Sequence, residues 1–328
     1  MSNDTAPLLE TDSPLGYDEL PLHSRHRFAY RVSPMPDGSH LSIPVLVMVG
    51  TAHRPRMVCV AGVHGNEHEG VTALLELWDE IEPEDLNGVL VMTPVANPPA
   101  FRAGTRRNPE DMVDMNRVFP GKDDGNITEQ LAYRLFHGVV VGADLLLSMH
   151  GWTDDAMVVP YAEYPRESPV TEASRAAAFA FGLKYVEAFD WPHGLLAAAC
   201  NRAGMPAIEP EIGGLGCTIP ERRSLYKRGV RNLMKHLGIL SGEPEVPTSV
   251  RHVKRTMLHA PVGGIIRRHA ELEDEVNAGE PILTITDLTG SPLAQIESPL
   301  DGFVASQRLR ASVSPGELVA VIFQPLES

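Results

Sequence analysis

The sequence predicts an α/β fold with a mixed, largely parallel sheet flanked by helices, followed by a C-terminal all-β barrel or sandwich. Segments with strand spacing alternate with segments of helical spacing as far as residue 238, which is the order expected when helices cover a sheet. Beyond residue 250 no helical pattern recurs. The tail also contains a rough internal repeat, residues 260–285 against 298–322, which is typical of small folds built from short strands.

The predicted strands are short apolar segments bounded by turn residues. Residues 55–63 are apolar on both alternating faces, which is typical of a central strand buried on both sides. Strands are predicted at residues 40–50, 55–63, 88–97, 143–152 and 205–214. Residues 1–25 are polar and contain proline, and they are predicted to form a loose lead-in without regular structure.

The predicted helices have apolar residues three and four positions apart. One of them begins with a capping box, because Asn126 can cap the first turn while Glu129 bonds back to the Asn126 backbone. Another has Pro220 at its start and Gly238 at its end, which matches the preferred places of these residues. Helices are predicted at residues 67–81, 126–140, 171–183 and 220–238.

The composition changes after residue 241, where a segment rich in Pro, Gly and Ser is typical of a linker. This change divides the chain into an α/β domain, residues 1–243, and a β-rich accessory domain, residues 244–328. The tail resembles the β fold of biotinyl and lipoyl carriers. No lysine follows Lys254, so a swinging-arm role is excluded and a structural or site-shaping role is predicted.

The charge and the apolar pattern exclude several kinds of partner. A formal net charge of −15 argues against nucleic acid or an anionic membrane as the main partner. The acidic N-terminus predicts no signal peptide, and the apolar runs are too short to span a bilayer. Three widely separated cysteines form neither a metal motif nor a disulfide framework. A cytoplasmic protein is predicted, and its oligomeric state is left open, with a homo-oligomer among the alternatives.

Two potential metal ligands follow the strand predicted at residues 55–63. His64 and Glu67 cross from the strand end into the first turn of a helix, and the spacing of three lets both side chains reach one ion. Open sheets bind ligands beyond the carboxyl ends of their strands. The alternative is that Glu67 only stabilises the helix dipole. The neighbours His68 and Glu69 are expected on the solvated side of that helix.

His150 follows a second apolar strand and supplies a third ligand. Three protein ligands with an open position for water form the layout of a catalytic zinc site, whereas structural zinc usually takes four ligands, often cysteines. One Zn²⁺ is therefore predicted at a His-Glu-His set. The alternative for His150 is a hydrogen-bonded histidine at a strand end.

A cluster of arginines lies between these ligands. Arg117 can form a bidentate pair with a carboxylate, and Asn116 can add a hydrogen bond. Arg102, Arg106 and Arg107 stand upstream, and one of them can polarise a substrate carbonyl. The concentration of arginines in an otherwise acidic chain predicts a small anionic substrate. The alternative is a surface turn capped by an aspartate.

Two glutamates compete for the role of general base. Glu209 and Glu211 stand near the end of a predicted strand, before two glycines. Because they share one face of a strand, periodicity cannot choose between them. Either one can take the proton from a zinc-bound water, whose pKa falls to about 7. The alternative is that either one simply pairs with an arginine.

Taken together, four motifs in order resemble the succinylglutamate desuccinylase/aspartoacylase family, which has a zinc carboxypeptidase-like fold. They are H-G-N-E at residues 64–67, N-R-x-F-P-G at residues 116–121, the strand-end His150 and E-I-G-G at residues 211–214. The motifs extend roughly from residue 55 to residue 215, and the β-rich tail also matches the two-domain plan of the family. The nearest members are bacterial deacylases of N-acylated amino acids.

The resemblance implies a role for each motif. It implies three ligands for one Zn²⁺, which are His64, Glu67 and His150. It implies that Glu211 is the general base and that Asn116 and Arg117 hold the substrate carboxylate. An arginine steadies the oxyanion in the family, and Arg107 is assigned to that role here, with Arg106 beside it as a further substrate-binding residue.

One departure from the family pattern lies beside the third ligand. The family often has an aspartate where this chain has Ser148, so support for His150 must come from another residue. The predicted function is a zinc-dependent amidohydrolase that removes an acyl group from an N-acylated amino acid or a similar small anionic amide. The alternatives are a metallocarboxypeptidase that acts on short peptides and a catalytically inactive module that binds a metal or ligand.

Overall fold

The computed structural model describes residues 7–326, and its strands form two sheets. The strands in chain order are β1 (Leu8–Thr11), β2 (Ser24–Pro34), β3 (His40–Val49), β4 (Arg56–Val60), β5 (Val89–Thr93), β6 (Leu145–Ser148), β7 (Ala156–Pro165), β8 (Tyr185–Phe189), β9 (Ala207–Gly214), β10 (Arg251–His259), β11 (Gly264–Arg268), β12 (Glu275–Val276), β13 (Pro281–Thr286), β14 (Pro292–Glu297), β15 (Gly302–Arg308), β16 (Ser312–Val313) and β17 (Leu318–Pro325). The larger sheet has the order β1-β2-β3-β5-β4-β6-β9-β7-β8-β10-β17-β15-β12, and the smaller has the order β14-β13-β11-β16.

The larger sheet is mixed rather than largely parallel. Its central strands β5, β4, β6 and β9 are parallel to one another. Antiparallel pairs join β3 to β5 and β9 to β7, and the C-terminal strands of this sheet pair antiparallel with one another. The predicted parallel character therefore holds for the centre of the sheet, where the carboxyl ends of β4, β6 and β9 meet at one edge.

Helices cover both faces of the central strands. They are α1 (Glu69–Glu80), α2 (Pro98–Ala103), α3 (Ile127–Leu135), α4 (Thr171–Phe181), α5 (Leu196–Arg202) and α6 (Pro220–His236). Apolar residues of α1, α4 and α6 pack in one core layer, and those of α3 and α5 pack in the other. In β4, Met57 and Cys59 belong to the first layer and Val58 and Val60 to the second. Burial on both faces explains why this strand is apolar throughout.

Each predicted helix and strand of the α/β part has a counterpart, and the predicted capping box is present. The Asn126 side chain accepts a bond from the Glu129 backbone N at 2.9 Å, and the Asn126 backbone N donates to the Glu129 carboxylate at 3.0 Å. Strands β1, β2, β7 and β8 and helices α2 and α5 lie where no element was predicted. The loose lead-in was therefore wrong for residues 8–11 and for residues 24–25 at the start of β2, while residues 1–6 of the predicted lead-in lie outside the described residues.

The C-terminal strands continue the sheet of the α/β part. Strand β10 pairs with β8, and β15 pairs with β7. Strands β7, β8, β10, β17 and β15 consequently close into a ring, whose interior contains Tyr161, Tyr185, Phe303 and Phe323 at centroid separations between 4.9 and 6.3 Å. The boundary predicted at residue 243 thus coincides with a change from mixed helices and strands to strands alone. Hydrogen-bonded strand pairs join the segments on either side of it.

Within residues 7–326, no helix has both the length and the apolar content that crossing a bilayer requires.

Candidate active site

Three side chains converge at the edge where β4 and β6 end. His64 lies just beyond β4, Glu67 just before α1, and His150 two residues beyond β6, while β4 and β6 are parallel neighbours with Val60 opposite Ser148. One ligand atom from each of the three side chains lies within 4.8 Å of the others. The two imidazole rings are 5.0 Å apart between centroids. The chain therefore brings the three sequence-predicted ligands to one point.

The inner nitrogens of both histidines face the carboxylate of Glu67. His64 Nδ1 lies 2.7 Å from Glu67 Oε1, and His150 Nδ1 lies 2.9 Å from Glu67 Oε2. All three residues are at most 5% exposed. Although burial favours the neutral acid, the two imidazoles hold the pKa of Glu67 well below its usual range. Two nitrogens and a carboxylate that point at each other form a donor set suited to a divalent cation.

The outer nitrogens of the same histidines are held by two further carboxylates. His64 Nε2 lies 3.1 Å from Asp114 Oδ1, and His150 Nε2 lies 2.9 Å from Glu209 Oε1. Such contacts orient metal-binding histidines and raise their basicity. Asp114 was missed as a site residue, although it stands next to the N-R motif. Glu209 supplies the carboxylate support for His150 that the absent aspartate at position 148 left open, and the Ser148 hydroxyl adds a contact to His150 Nε2 at 3.1 Å.

The two candidate bases occupy different environments. Glu209 is only 5% exposed and accepts a hydrogen bond from Asn116 Nδ2 at 3.0 Å. Glu211 is partly exposed, and its Oε2 accepts a hydrogen bond from the Trp152 backbone N at 2.9 Å. Burial, opposed by the attraction of His150, raises the pKa of Glu211 to about 8. Glu209 thus contacts the nitrogen of His150 that points away from Glu67, and Glu211 is the glutamate that solvent can reach.

The backbone that follows His150 is held in an unusual conformation. Trp152 has a φ of 63°, a left-handed value that is uncommon for a large side chain. This conformation presents the Trp152 backbone N to Glu211. Tyr226 of α6 donates to the carbonyls of His150 and Pro210, the latter at 2.9 Å. The ends of β6 and β9 are therefore tied together directly beside the convergent side chains.

Arg106 lies at the site and Arg107 does not. Arg106 Nε donates to Asp114 Oδ2 at 2.9 Å, and Arg106 Nη1 lies 3.8 Å from Glu67 Oε1. Although burial opposes it, the negative charges of Glu67 and Asp114 raise the pKa of Arg106. Arg107 is exposed, and within the described part of the chain its side chain makes no polar contact with the cluster. The geometry therefore favours Arg106 over Arg107 for a role at the cluster, because successive residues of a turn point in different directions.

Asn116 and Arg117 lie beside the cluster with their polar groups already engaged. Asn116 Oδ1 accepts from the Leu196 backbone N at 2.9 Å, while its Nδ2 donates to Glu209. Arg117 is exposed, and its Nη1 donates to the Asn116 carbonyl at 2.7 Å. Asn116 therefore supports Glu209 from within the protein, and the guanidinium of Arg117 is the more accessible of the two groups.

Glu69 is buried, contrary to the expectation that it lies on the solvated side of α1. It is 1% exposed, and desolvation raises its pKa to about 7. Its carboxylate lies against Gly213, where a Cβ would approach Glu69 Oε1 to 2.2 Å and where φ is 122°. Residue 213 must therefore be glycine for both steric and conformational reasons. This packing accounts for the first glycine of the E-I-G-G motif.

A family comparison matches the segment that contains this site. The family model of the succinylglutamate desuccinylase/aspartoacylase catalytic domain matches residues 53–237. This segment includes the predicted metal ligands, the two candidate bases Glu209 and Glu211, and Arg106. The matched segment ends before the strands that complete the β ring.

Similar proteins cover nearly the whole chain. The N-alpha-acetyl-L-2,4-diaminobutyric acid deacetylase of Halomonas elongata is 32% identical over 297 residues, which are 87% of this chain and 86% of that protein. The product-bound ectoine utilization protein EutE (DoeB) from Ruegeria pomeroyi superposes with a TM-score of 0.86 at 27% identity, over 93% of this chain and 97% of that one. A succinylglutamate desuccinylase/aspartoacylase from Rhodobacter sphaeroides has the same TM-score and identity, over 93% and 96%.

Proposed function

The chain belongs to the succinylglutamate desuccinylase/aspartoacylase family, and from this premise we propose that it is a zinc-dependent hydrolase that removes the acyl group from an N-acylated amino acid. One observation carries the proposal. The Nδ1 atoms of His64 and His150 both face the Glu67 carboxylate, while their outer nitrogens are held by Asp114 and Glu209. Histidines that are oriented in this way on a shared carboxylate are typical of a catalytic metal site.

The residues fit zinc. His64, Glu67 and His150 form a set of two nitrogens and one carboxylate, which is a common set of protein ligands in catalytic zinc sites. The cysteines that a structural site would use are absent from the cluster. When bound, Zn²⁺ supplies a Lewis acid and lowers the pKa of water to about 7.

Glu211 is the proposed general base. Its carboxylate is partly exposed at the edge of the cluster and is oriented by the Trp152 backbone N. It would accept the proton of the attacking water and deliver it to the leaving amine. Burial keeps the pKa of this carboxyl at about 8, and a nearby divalent cation favours the charged form.

Two arginines are proposed to bind the substrate. Arg106 reaches the cluster and would donate hydrogen bonds to the oxygen on which negative charge develops. Arg117 is exposed beside it and can form a bidentate pair with the substrate carboxylate. The relative from Halomonas elongata is named as a deacetylase of an acetylated diamino acid, so N-acetylated amino acids are the first substrates to test.

The experiment that tests the function combines metal analysis with a substrate panel. Purified protein is expected to contain zinc, to hydrolyse N-acetyl, N-succinyl or N-formyl amino acids, to lose turnover with a chelator and to regain it with Zn²⁺. Faster cleavage of short peptides with a free C-terminus would instead identify a carboxypeptidase. Zinc binding without turnover of any of these compounds would identify an inactive binding module.

Replacing Arg106 by alanine is expected to lower kcat/KM about 100-fold, because one hydrogen-bond donor to the developing charge is lost. Arg107→Ala is the matched control, since Arg107 is the next residue, carries the same charge and is exposed. Steady-state kinetics of both variants decide between the two arginines. A larger loss in Arg107→Ala would contradict the assignment.

Replacing Asp114 by asparagine is expected to weaken zinc binding by about 10- to 100-fold, because the charge that orients His64 is removed. The affinity is measured by competition with a chromogenic chelator. Asp123→Asn changes an exposed carboxylate of the same segment and is expected to leave the affinity unchanged. Equal affinities in the Asp114→Asn variant and the parent protein would rule out a supporting role.

A further inference from the structure

Three buried glutamates lie side by side on neighbouring strands next to the candidate site. Glu209 of β9 is directly opposite Glu163 of β7, and Glu163 is directly opposite Glu187 of β8. They are 5%, 5% and 2% exposed, respectively. Directly opposite residues project from one face with Cβ atoms about 5 Å apart, and like charges in such pairs repel one another. The row therefore needs positive charge or hydrogen-bond donors to be stable.

Arg255 provides the positive charge for two members of the row. Its Nη2 lies 2.6 Å from Glu163 Oε1, its Nε lies 2.7 Å from Glu187 Oε2, and its backbone N donates to Glu187 Oε1 at 3.0 Å. The guanidinium also lies 3.8 Å above the ring centroid of Phe189. Its side chain is only 9% exposed. A planar guanidinium can span two carboxylates and stack on a ring at once, which an ammonium group cannot do.

The guanidinium of Arg255 also contacts β7, the strand that pairs with β9. The proposed base Glu211 lies on β9. Arg255 Nη1 donates to the Tyr161 hydroxyl at 3.0 Å, and this hydroxyl donates to Glu163 Oε1 at 2.9 Å. Tyr161 is directly opposite Glu211 in the pairing of β7 with β9. Trp191 Nε1 donates to the second oxygen of Glu163 at 2.9 Å. Side chains of β7 are thus held by Arg255 and Trp191 next to the position where the strand borders Glu211.

We propose that Arg255 is a positioning residue of the active site, an inference that rests on the proposed function. Arg255 comes from β10, the first strand of the C-terminal part of the chain. By holding Glu163 and Tyr161 in place, it sets the position of β7 beside Glu209 and Glu211. It also offsets the charge that Glu163 would otherwise direct at Glu209, the carboxylate that orients His150. The C-terminal strands therefore contribute to the reaction and do more than pack against the α/β part.

The central test is the Arg255→Lys variant, which keeps the positive charge and loses the planar guanidinium group. We expect kcat for an N-acetyl amino acid to fall between about 10- and 100-fold with KM little changed, because a small displacement of reacting groups has effects of this size. The zinc affinity, measured by chelator competition, is expected to fall as well, because a displaced β7 also displaces Glu209, the carboxylate that orients His150.

Two comparisons separate positioning from general loosening of the β ring. Ile322 lies on the opposite face of β17 from the network, in a separate apolar cluster. Ile322→Ala is therefore expected to lower the melting temperature without disturbing the contacts of Arg255. It is expected to leave kcat nearly unchanged. Tyr161→Phe removes only the hydroxyl that Arg255 contacts. Its effect on kcat is expected to be non-additive with that of Arg255→Lys, as is usual for groups of one network.

The outcomes are distinguishable. Equal losses of kcat in Arg255→Lys and Ile322→Ala at equal loss of melting temperature overturn the positioning role, as do independent effects of Arg255→Lys and Tyr161→Phe. Either result leaves the proposed function standing. A parent protein without activity on any N-acyl amino acid overturns the proposed function. In that case the zinc affinity tests the positioning role of Arg255, and an affinity unchanged in Arg255→Lys overturns the inference.

Discussion

Glu211→Gln is expected to lower kcat by about 10³-fold, because the variant can neither take a proton from water nor return one to the leaving amine. The amide is nearly isosteric and can still accept the hydrogen bond from the Trp152 backbone N. The local structure and the zinc content are therefore expected to stay the same. Metal analysis of the purified variant together with its steady-state kinetics on an N-acetyl amino acid measures both quantities.

Glu209→Gln is the matched control for this experiment, since the two glutamates lie two residues apart on the same face of β9. Glu209 touches His150 and Asn116, so its loss is expected to weaken zinc binding by about 10-fold and to spare most of the activity once zinc is saturating. The reverse pattern, an active Glu211→Gln and a Glu209→Gln that is inactive with zinc bound, would exchange the two roles.

His64→Ala is expected to abolish both zinc binding and turnover. One of three protein ligands is removed, and with the metal the reaction loses its activated water and its Lewis acid, so the loss in kcat is on the order of 10⁴-fold or more. Zinc content after dialysis against metal-free buffer and residual hydrolysis at high enzyme concentration are the measurements. The melting temperature shows whether the protein remains folded.

His68→Ala serves as the control, because His68 belongs to the same short segment and its ring packs on Phe101 at 5.5 Å between centroids. This variant is expected to retain zinc and activity. Full zinc content in His64→Ala would mean that His64 is not a ligand and that the assignment of the site needs revision.

The family and many elements of the α/β part could be predicted because each depends on short stretches of sequence. The prediction of the family from four ordered motifs is confirmed by the match over residues 53–237. Strand β4 was recognisable because both of its faces are apolar, and the start of α3 because Asn126 and Glu129 lie three residues apart. Strands β7 and β8 escaped prediction because they contain Glu163 and Glu187, charged residues that are buried only because Arg255 arrives from a distant segment.

The sequence by itself determined which residue types can bind a cation and that His64, Glu67 and His150 follow strands whose ends can meet. These features depend on local periodicity and on the rule that parallel strands end at a common edge. Only the tertiary structure decided that Arg106 and not Arg107 faces the cluster, that Glu209 stands behind His150 while Glu211 is accessible, and that Asp114 orients His64. Each of these depends on contacts between residues far apart in the chain, such as the 50 positions between His64 and Asp114. The direction in which a loop side chain points is set by its packing partners, and a one-dimensional pattern does not contain them.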